Sequence, residues 1–119
     1  MAIRLKSRKN LLDMVPQKNA KYEWQLDETT GRVQITVERN SMIERAVRKF
    51  AKTPKTLTVD LDNFGSFVWQ MIDGTRDIHA IGRLVADAFG KEAEPLYERL
   101  GGFMNLLKNN GFINYSYNR

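Results

Sequence analysis

The 119-residue sequence contains no cysteine and a single histidine, and each shortage excludes whole classes of protein. Without thiols there is no disulfide, no thiolate-held zinc or iron–sulfur site and no cysteine nucleophile. One histidine excludes a metal site built from several histidines. No apolar run approaches the ~20 residues of a membrane span, and no apolar signal segment follows the basic residues near the start. We therefore expect a cytoplasmic protein with no membrane partner.

The usual catalytic motifs are also absent: there is no phosphate-binding glycine loop, dinucleotide fingerprint, nucleophile elbow or zinc-protease histidine pair. Ser66 lies between phenylalanines in a predicted helix and is interpreted as a packing residue, and His79 has no visible partner for acid–base work. Asp60 and Asp62 end a predicted strand, where a helix cap and a solvated side chain are simpler interpretations than a cation site. We predict no catalytic residue, no metal and no cofactor, and hence a binding function.

The positive charge is concentrated in the first half of the chain. Residues 1–55 hold 13 Lys and Arg against 6 Asp and Glu, whereas residues 56–119 hold 6 against 8. A basic region of this kind favours an acidic partner, such as nucleic acid, anionic lipid or an acidic peptide.

Three segments alternate apolar and polar residues, as half-buried strands do. Residues 22–27 and 33–37 flank a short turn that ends at Gly31 and predict a hairpin. Residues 55–61 predict a third strand, and residues 112–117 a short final one. Residues 1–20 have no such alternation, and Pro16 excludes a helix there, so we expect an irregular basic arm.

Helical spacing accounts for most of the remaining chain. A capping box formed by Ser41 and Glu44 begins a basic amphipathic helix at 41–52, inserted between strands 2 and 3. Three further helices are predicted downstream: one capped by Asp62 or Asn63, one by Thr75 or Asp77, and a third beginning near Glu92. The exposed face of the inserted helix predicts a docking surface for a partner, made of Arg45, Arg48, Lys49 and Lys52.

These elements predict an α+β, winged-helix-like fold: a small three-stranded antiparallel sheet packed on a three-helix bundle, with the extra helix between strands 2 and 3. Residues 1–20 form the arm, and residues 21–119 form a single domain. If the third strand lies at the sheet edge, its unpaired backbone groups can accept an extended peptide. The third helix has more apolar width than one packing face needs, so Tyr97, Met104 and Leu106 either line a groove or belong to the core.

Residues 61–78, which run from Leu61-Asp62-Asn63-Phe64 to Thr75-Arg76-Asp77-Ile78, resemble the central signature of the PqqD family. That family comprises the pyrroloquinoline-quinone biosynthesis chaperone and related recognition elements for ribosomally made, modified peptides. Phe89-Gly90 and the segment 106–113 resemble it too, and the similarity extends in pattern over residues 11–113. The inserted helix at 41–52 departs from the compact family pattern.

The resemblance implies a non-catalytic chaperone that binds the leader of a precursor peptide and presents it to a radical S-adenosylmethionine (SAM) maturase. The leader is expected as an added strand between the third strand and the third helix. Carried over by position, this implies eight peptide-binding residues: Thr56, Leu57, Thr58, Val59, Tyr97, Leu100, Met104 and Leu107. It leaves open whether the product is pyrroloquinoline quinone or another modified peptide.

Two other functions remain open at this point. A winged-helix protein can bind nucleic acid through the basic inserted helix, although the third helix balances three basic residues against three acidic ones and so favours base contacts less. A structural subunit of a larger assembly is the other alternative.

Overall fold

The computed structural model describes residues 11–38 and 56–117, which fold into five strands and three helices with two short 3-10 turns. The predicted helix at 41–52 lies outside these residues. The described elements are, in order, the turn Leu11–Asp13, β1 Met14–Lys18, β2 Glu23–Asp27, β3 Arg32–Glu38, β4 Thr56–Asp60, α1 Asn63–Met71, α2 Ile78–Phe89, the turn Gly90–Ala93, α3 Leu96–Asn109 and β5 Ile113–Tyr117.

The three predicted strands form one antiparallel sheet in the order β2-β3-β4. Trp24 lies opposite Ile35, and Ile35 lies opposite Val59, so these side chains share one face of the sheet. Val33 and Ile35 of the central strand are completely buried. The α+β class, the hairpin and the third strand are therefore confirmed, because period-2 alternation places every second side chain on the core face.

A second sheet corrects the prediction for the start of the chain. Residues Met14–Lys18, predicted as irregular, form β1 and pair antiparallel with β5, with Pro16 opposite Tyr115. Proline excludes a helix but is tolerated where a strand lies at a sheet edge. Val15 is buried, so burial of this strand contributes to the core. The fold has two small sheets instead of the single predicted one.

Two aspartates cap the starts of the first two helices, and each is one of the two residues predicted as the cap. Asp62 Oδ1 accepts a hydrogen bond from the Gly65 N–H, and Asp77 Oδ1 accepts one from the Ala80 N–H, both over 2.8 Å. Each carboxylate satisfies a backbone donor that has no partner inside the helix. The helix starts could be read from the sequence because this requirement is local.

The third helix begins later than predicted. The chain forms a 3-10 turn over Gly90–Ala93, and Pro95 stands at the N-cap of α3. The helices pack on one face of the three-stranded sheet around a continuous core. Its buried members are Val33, Ile35, Leu61, Phe64, Val68, Trp69, Ile72, Ile78, Ile81, Val85, Ala93, Leu100, Met104, Leu107, Phe112 and Ile113.

Lys18 connects the two sheets and the end of α1. Its ammonium donates a hydrogen bond to the Ile72 carbonyl over 2.8 Å and lies 4.8 Å from the ring centroid of Trp24 and 5.4 Å from that of Trp69. Burial lowers the pKa of Lys18, and the nearby charge of Asp73 partly opposes this. No helix within the described part of the chain is long and apolar enough to cross a membrane.

Candidate functional site

Strand β4 lies at one edge of the three-stranded sheet. Within residues 11–38 and 56–117 it pairs with β3 on one side and with no strand on the other. The Leu61 N–H, just after β4, donates to the Val33 carbonyl over 2.9 Å. Backbone groups of successive strand residues point to alternate edges. Thr58 and Asp60 therefore direct their N–H and C=O groups away from β3, toward the open side.

The side chains of β4 differ between its two faces. Leu57 and Val59 lie opposite Val37 and Ile35 and so share the core face of the sheet. Val59 is half-buried against the core, whereas Leu57 keeps 46% of its surface exposed. Thr58 is exposed on the other face, and Thr56 opens the strand. Among the described residues, the edge thus offers backbone groups that no strand pairs with, next to one exposed apolar side chain.

The C-terminal end of β4 is fixed by a buried serine. Ser66 Oγ accepts a hydrogen bond from the Val33 N–H over 2.8 Å and donates one to the Leu61 carbonyl over 3.2 Å. These bonds tie α1 to β3 and to the residue that follows β4. The predicted packing role of Ser66 is therefore correct, and its hydroxyl also satisfies backbone groups that burial would otherwise leave unpaired.

The predicted site residues of α3 fall into two groups. Leu100, Met104 and Leu107 are completely buried and belong to the core. Tyr97 is 46% exposed, and Leu106 is 48% exposed. Of the apolar side chains that widen this helix, Met104 is therefore core, while Tyr97 and Leu106 meet solvent.

The two flanks of α3 contact different helices. A Cβ atom added to Gly82 of α2 would lie 2.9 Å from Cε1 of Tyr97, whereas one added to Gly65 of α1 would lie 3.0 Å from Cζ of Phe103. The Phe103 ring also meets the Phe64 ring edge-on, with centroids 6.4 Å apart. Because α1 begins two residues after β4, the Phe103 flank packs on the helix turn that follows the end of that strand.

Sequence reasoning therefore missed Phe103 and Arg99, which share this flank of α3 with Leu106, a residue that it had left open between groove and core. Phe103 is half-buried, and Arg99 and Leu106 are exposed. The signal that could have found them is the pair of helical glycines, since a glycine inside a helix often marks a close approach by another side chain. Gly65 and Gly82 are the positions at which α3 approaches its two neighbours.

The described residues contain no group of three or more His, Asp or Glu that could hold a metal ion. His79 is exposed at the start of α2. The basic residues Arg45, Arg48, Lys49 and Lys52 lie outside the described residues, so their predicted docking role stays a prediction. The arrangement at β4 suits binding of an extended segment through backbone hydrogen bonds and apolar contacts.

The chain matches a known protein-family model. The model described as Coenzyme PQQ synthesis protein D (PqqD) matches residues 53–113, just over half of the chain. The matched range contains β4 and all three helices of the described structure, including the first turn of α1 and the flank of α3 that borders it. No curated protein and no solved structure shows significant similarity to the chain.

Proposed function

The chain belongs to the PqqD family, and from this we propose that it binds the leader segment of a ribosomally made precursor peptide. Members of the family are non-catalytic chaperones, so the chemistry falls to a separate enzyme. In this family that enzyme is in general of the radical SAM type. The chaperone holds the leader and presents the rest of the precursor to it.

The observation that carries the proposal is the open edge of β4. Thr58 and Asp60 direct backbone donors and acceptors to the side on which no strand of the described structure pairs with β4. An incoming extended peptide satisfies them by adding a fourth strand. Such main-chain bonds provide affinity with little dependence on the peptide sequence. The two residues therefore define the backbone part of the proposed site.

Apolar contacts next to the edge provide the selectivity. Leu57 lies on the core face of β4, and Phe103 and Leu106 lie on the flank of α3 that packs on the start of α1. Burying an exposed leucine against a peptide side chain stabilises the complex by about 1–2 kcal/mol. Leu100, Met104 and Leu107 hold α3 in place from within the core, and Tyr97 packs on α2. We therefore assign the direct apolar contacts to the Phe103 flank.

A proline scan of the two sheet edges tests the proposal. On β2 the outward N–H groups belong to Trp24 and Leu26, because their partners Ile35 and Val33 direct their own groups toward β4. Thr58→Pro removes an outward donor from β4, and Leu26→Pro removes one from β2. The probe is a displayed library of random peptides about ten residues long, the upper range of strand lengths.

Peptides selected on the full-length protein should bind Thr58→Pro about tenfold or more weakly, because a backbone bond is lost and the ring obstructs the edge. They should bind Leu26→Pro with unchanged affinity. Circular dichroism and urea unfolding establish that both variants fold. Equal affinity for a folded Thr58→Pro protein and the unsubstituted protein would contradict strand addition at β4.

Salt dependence separates this function from nucleic-acid binding by the basic first half of the chain. A protein that contacts several phosphates loses affinity by orders of magnitude between low and moderate salt. Strand addition depends mainly on uncharged backbone groups, so peptide affinity should change by less than about fivefold over the same range. Binding of a random DNA duplex with a steep salt slope, in the absence of peptide binding, would favour the alternative.

A further inference from the structure

Arg99 lies on the flank of α3 that packs against the first turn of α1, and α1 begins two residues after the end of β4. Residues three and four positions apart share a helix face, so Arg99 lies on the same flank as Phe103. Its guanidinium carbon is 4.2 Å from the ring centroid of Phe64, the second residue of α1. Because β4 ends at Asp60, the guanidinium lies beside the helix turn into which that strand leads.

The guanidinium is held in position but keeps donors free. It packs on the Phe64 ring, and one of its amino groups donates a hydrogen bond to the Glu92 carbonyl. A guanidinium has five N–H donors, and Arg99 remains exposed. Within the described part of the chain, no carboxylate forms an ion pair with it. Among residues 11–38 and 56–117, Arg99 is thus an oriented cation without a carboxylate partner.

We propose that Arg99 is a specificity-determining residue that pairs with an Asp or Glu side chain of the bound leader. The inference rests on the proposed function, since it requires a peptide strand alongside β4. The planar guanidinium matches a carboxylate through two parallel hydrogen bonds, and its packing on Phe64 lowers the entropy lost on pairing. The substrate class is therefore a leader with an acidic residue where it passes the end of β4.

Two carboxylates at the same end of β4 define the competing possibility. Asp60 and Asp62 are both exposed, but Asp62 Oδ1 is already engaged by the Gly65 N–H. Asp60 lies opposite Gln34 on the polar face of the sheet, whereas the groove that we propose lies on the core face. A leader that instead carries Lys or Arg at this point would pair with Asp60.

Charge reversal on one helix provides a matched test. Arg99→Glu reverses the proposed contact. Lys108→Glu makes the same change nine residues along α3, which places it on the opposite side of the helix from Arg99. Lys108 is exposed too. Random peptides are selected on the full-length protein and on both variants, and the composition of the selected pools is compared.

We expect Asp and Glu to be enriched at one peptide position on the unsubstituted protein and on Lys108→Glu, and to be replaced by Lys or Arg on Arg99→Glu. A selected acidic peptide should bind the unsubstituted protein about three- to fivefold more tightly than its amide counterpart, the upper range for an exposed ion pair. Arg99→Lys should keep part of this preference. A purely structural role of Arg99 would weaken both peptides equally.

Three outcomes would overturn the inference. One is a pool without acidic preference, another is a pool whose preference survives Arg99→Glu, and the third is enrichment of Lys or Arg on the unsubstituted protein. Each leaves the proposed function intact as long as the pool still depends on Thr58. If no selected peptide loses affinity for Thr58→Pro, the proposed function fails, and the inference fails with it.

Discussion

The two edges of the three-stranded sheet, β2 and β4, have similar exposure but different neighbours. Trp24 on β2 is 39% exposed and Leu57 on β4 is 46% exposed, and both side chains lie on the core face of the sheet. The Trp24 ring meets the Trp69 ring with centroids 6.0 Å apart and lies against the Lys18 ammonium. The chain's own residues therefore cover part of Trp24 at the β2 edge, although Leu26 on the same face also keeps 39% of its surface exposed.

The β4 edge, which we propose as the peptide-binding site, differs from the β2 edge in the residues beside it. Its outward N–H and C=O groups resemble those of β2, but β4 runs directly into α1, whose first turn meets Phe103 and Arg99 of α3. A strand added there has an apolar contact and a cation beside it. Fractional exposure alone does not separate the two edges, whereas the neighbouring side chains do.

The largest expected effect concerns stability at the β2 edge. Trp24→Ala removes the contact with Trp69 and one ring from the Lys18 ammonium, so the free energy of unfolding should fall by about 2–3 kcal/mol, below the value for a fully buried tryptophan. Trp24→Phe should lower the free energy of unfolding by less than Trp24→Ala does. Urea unfolding measures the change. Peptide affinity at β4 should stay within about twofold, and a larger loss would place the peptide at β2.

The next effect concerns how the end of β4 is held. Ser66→Ala leaves the buried Val33 N–H without a partner, which should lower the free energy of unfolding by about 1–2 kcal/mol. Ser116→Ala is a matched control, because Ser116 Oγ accepts an exposed hydrogen bond from Gln17. We expect the control to change stability by less than about 0.5 kcal/mol. Equal effects of the two substitutions in urea unfolding would contradict the role given to Ser66.

A third effect distinguishes the two edges by affinity instead of stability. Leu57→Glu places a charge on the proposed apolar wall and should weaken a selected peptide about tenfold, because leucine burial is lost and a carboxylate is desolvated. Leu26→Glu makes the same change on β2 and should leave affinity unchanged. Fluorescence polarisation with a labelled peptide measures both. The opposite ranking of the two variants would exchange the roles of the edges.

Much of the sheet and of the helix starts could be predicted because the signals are local. Alternation identified the hairpin and β4, and the acidic caps identified the starts of α1 and α2. The pairing of β1 with β5 could not be predicted, since it joins Met14 to Tyr117 across nearly the whole chain. Pro16 excludes a helix there but is compatible with both a strand and an irregular arm.

The candidate site was predictable only in part for a related reason. The residues gave the edge position of β4 only as a condition, and the family resemblance implied a strand added against it. The apolar stripe of α3 left open whether Tyr97, Met104 and Leu106 face a groove or the core, and Leu100 and Leu107 were assigned to the groove only through the resemblance. Which side chains face the core depends on the rotation of the helix about its axis, which contacts with Gly65 and Gly82 determine.

The smallest expected effect is the pH dependence of stability at the β2 edge. Burial lowers the pKa of Lys18 below its ordinary value of 10.5, so the folded state holds this proton less tightly than the unfolded chain does. Folding therefore becomes more favourable as pH rises from the lowered pKa toward 10.5. Lys18→Met removes this gain, and the difference in unfolding free energy between the two proteins should widen in favour of the unsubstituted one over that range.

Stability is compared between the unsubstituted protein and Lys18→Met because Tyr115 also changes stability over this pH range. Burial raises the pKa of Tyr115 above its ordinary value of 10.0, so its ionisation favours unfolding as pH rises through the same range. Both proteins contain Tyr115, and its contribution cancels in their difference. Urea unfolding from neutral pH to about 10.5 measures that difference. If the difference in unfolding free energy stays constant with pH, Lys18 titrates alike in the folded and unfolded chains. That outcome would contradict the burial of its ammonium at the β2 edge.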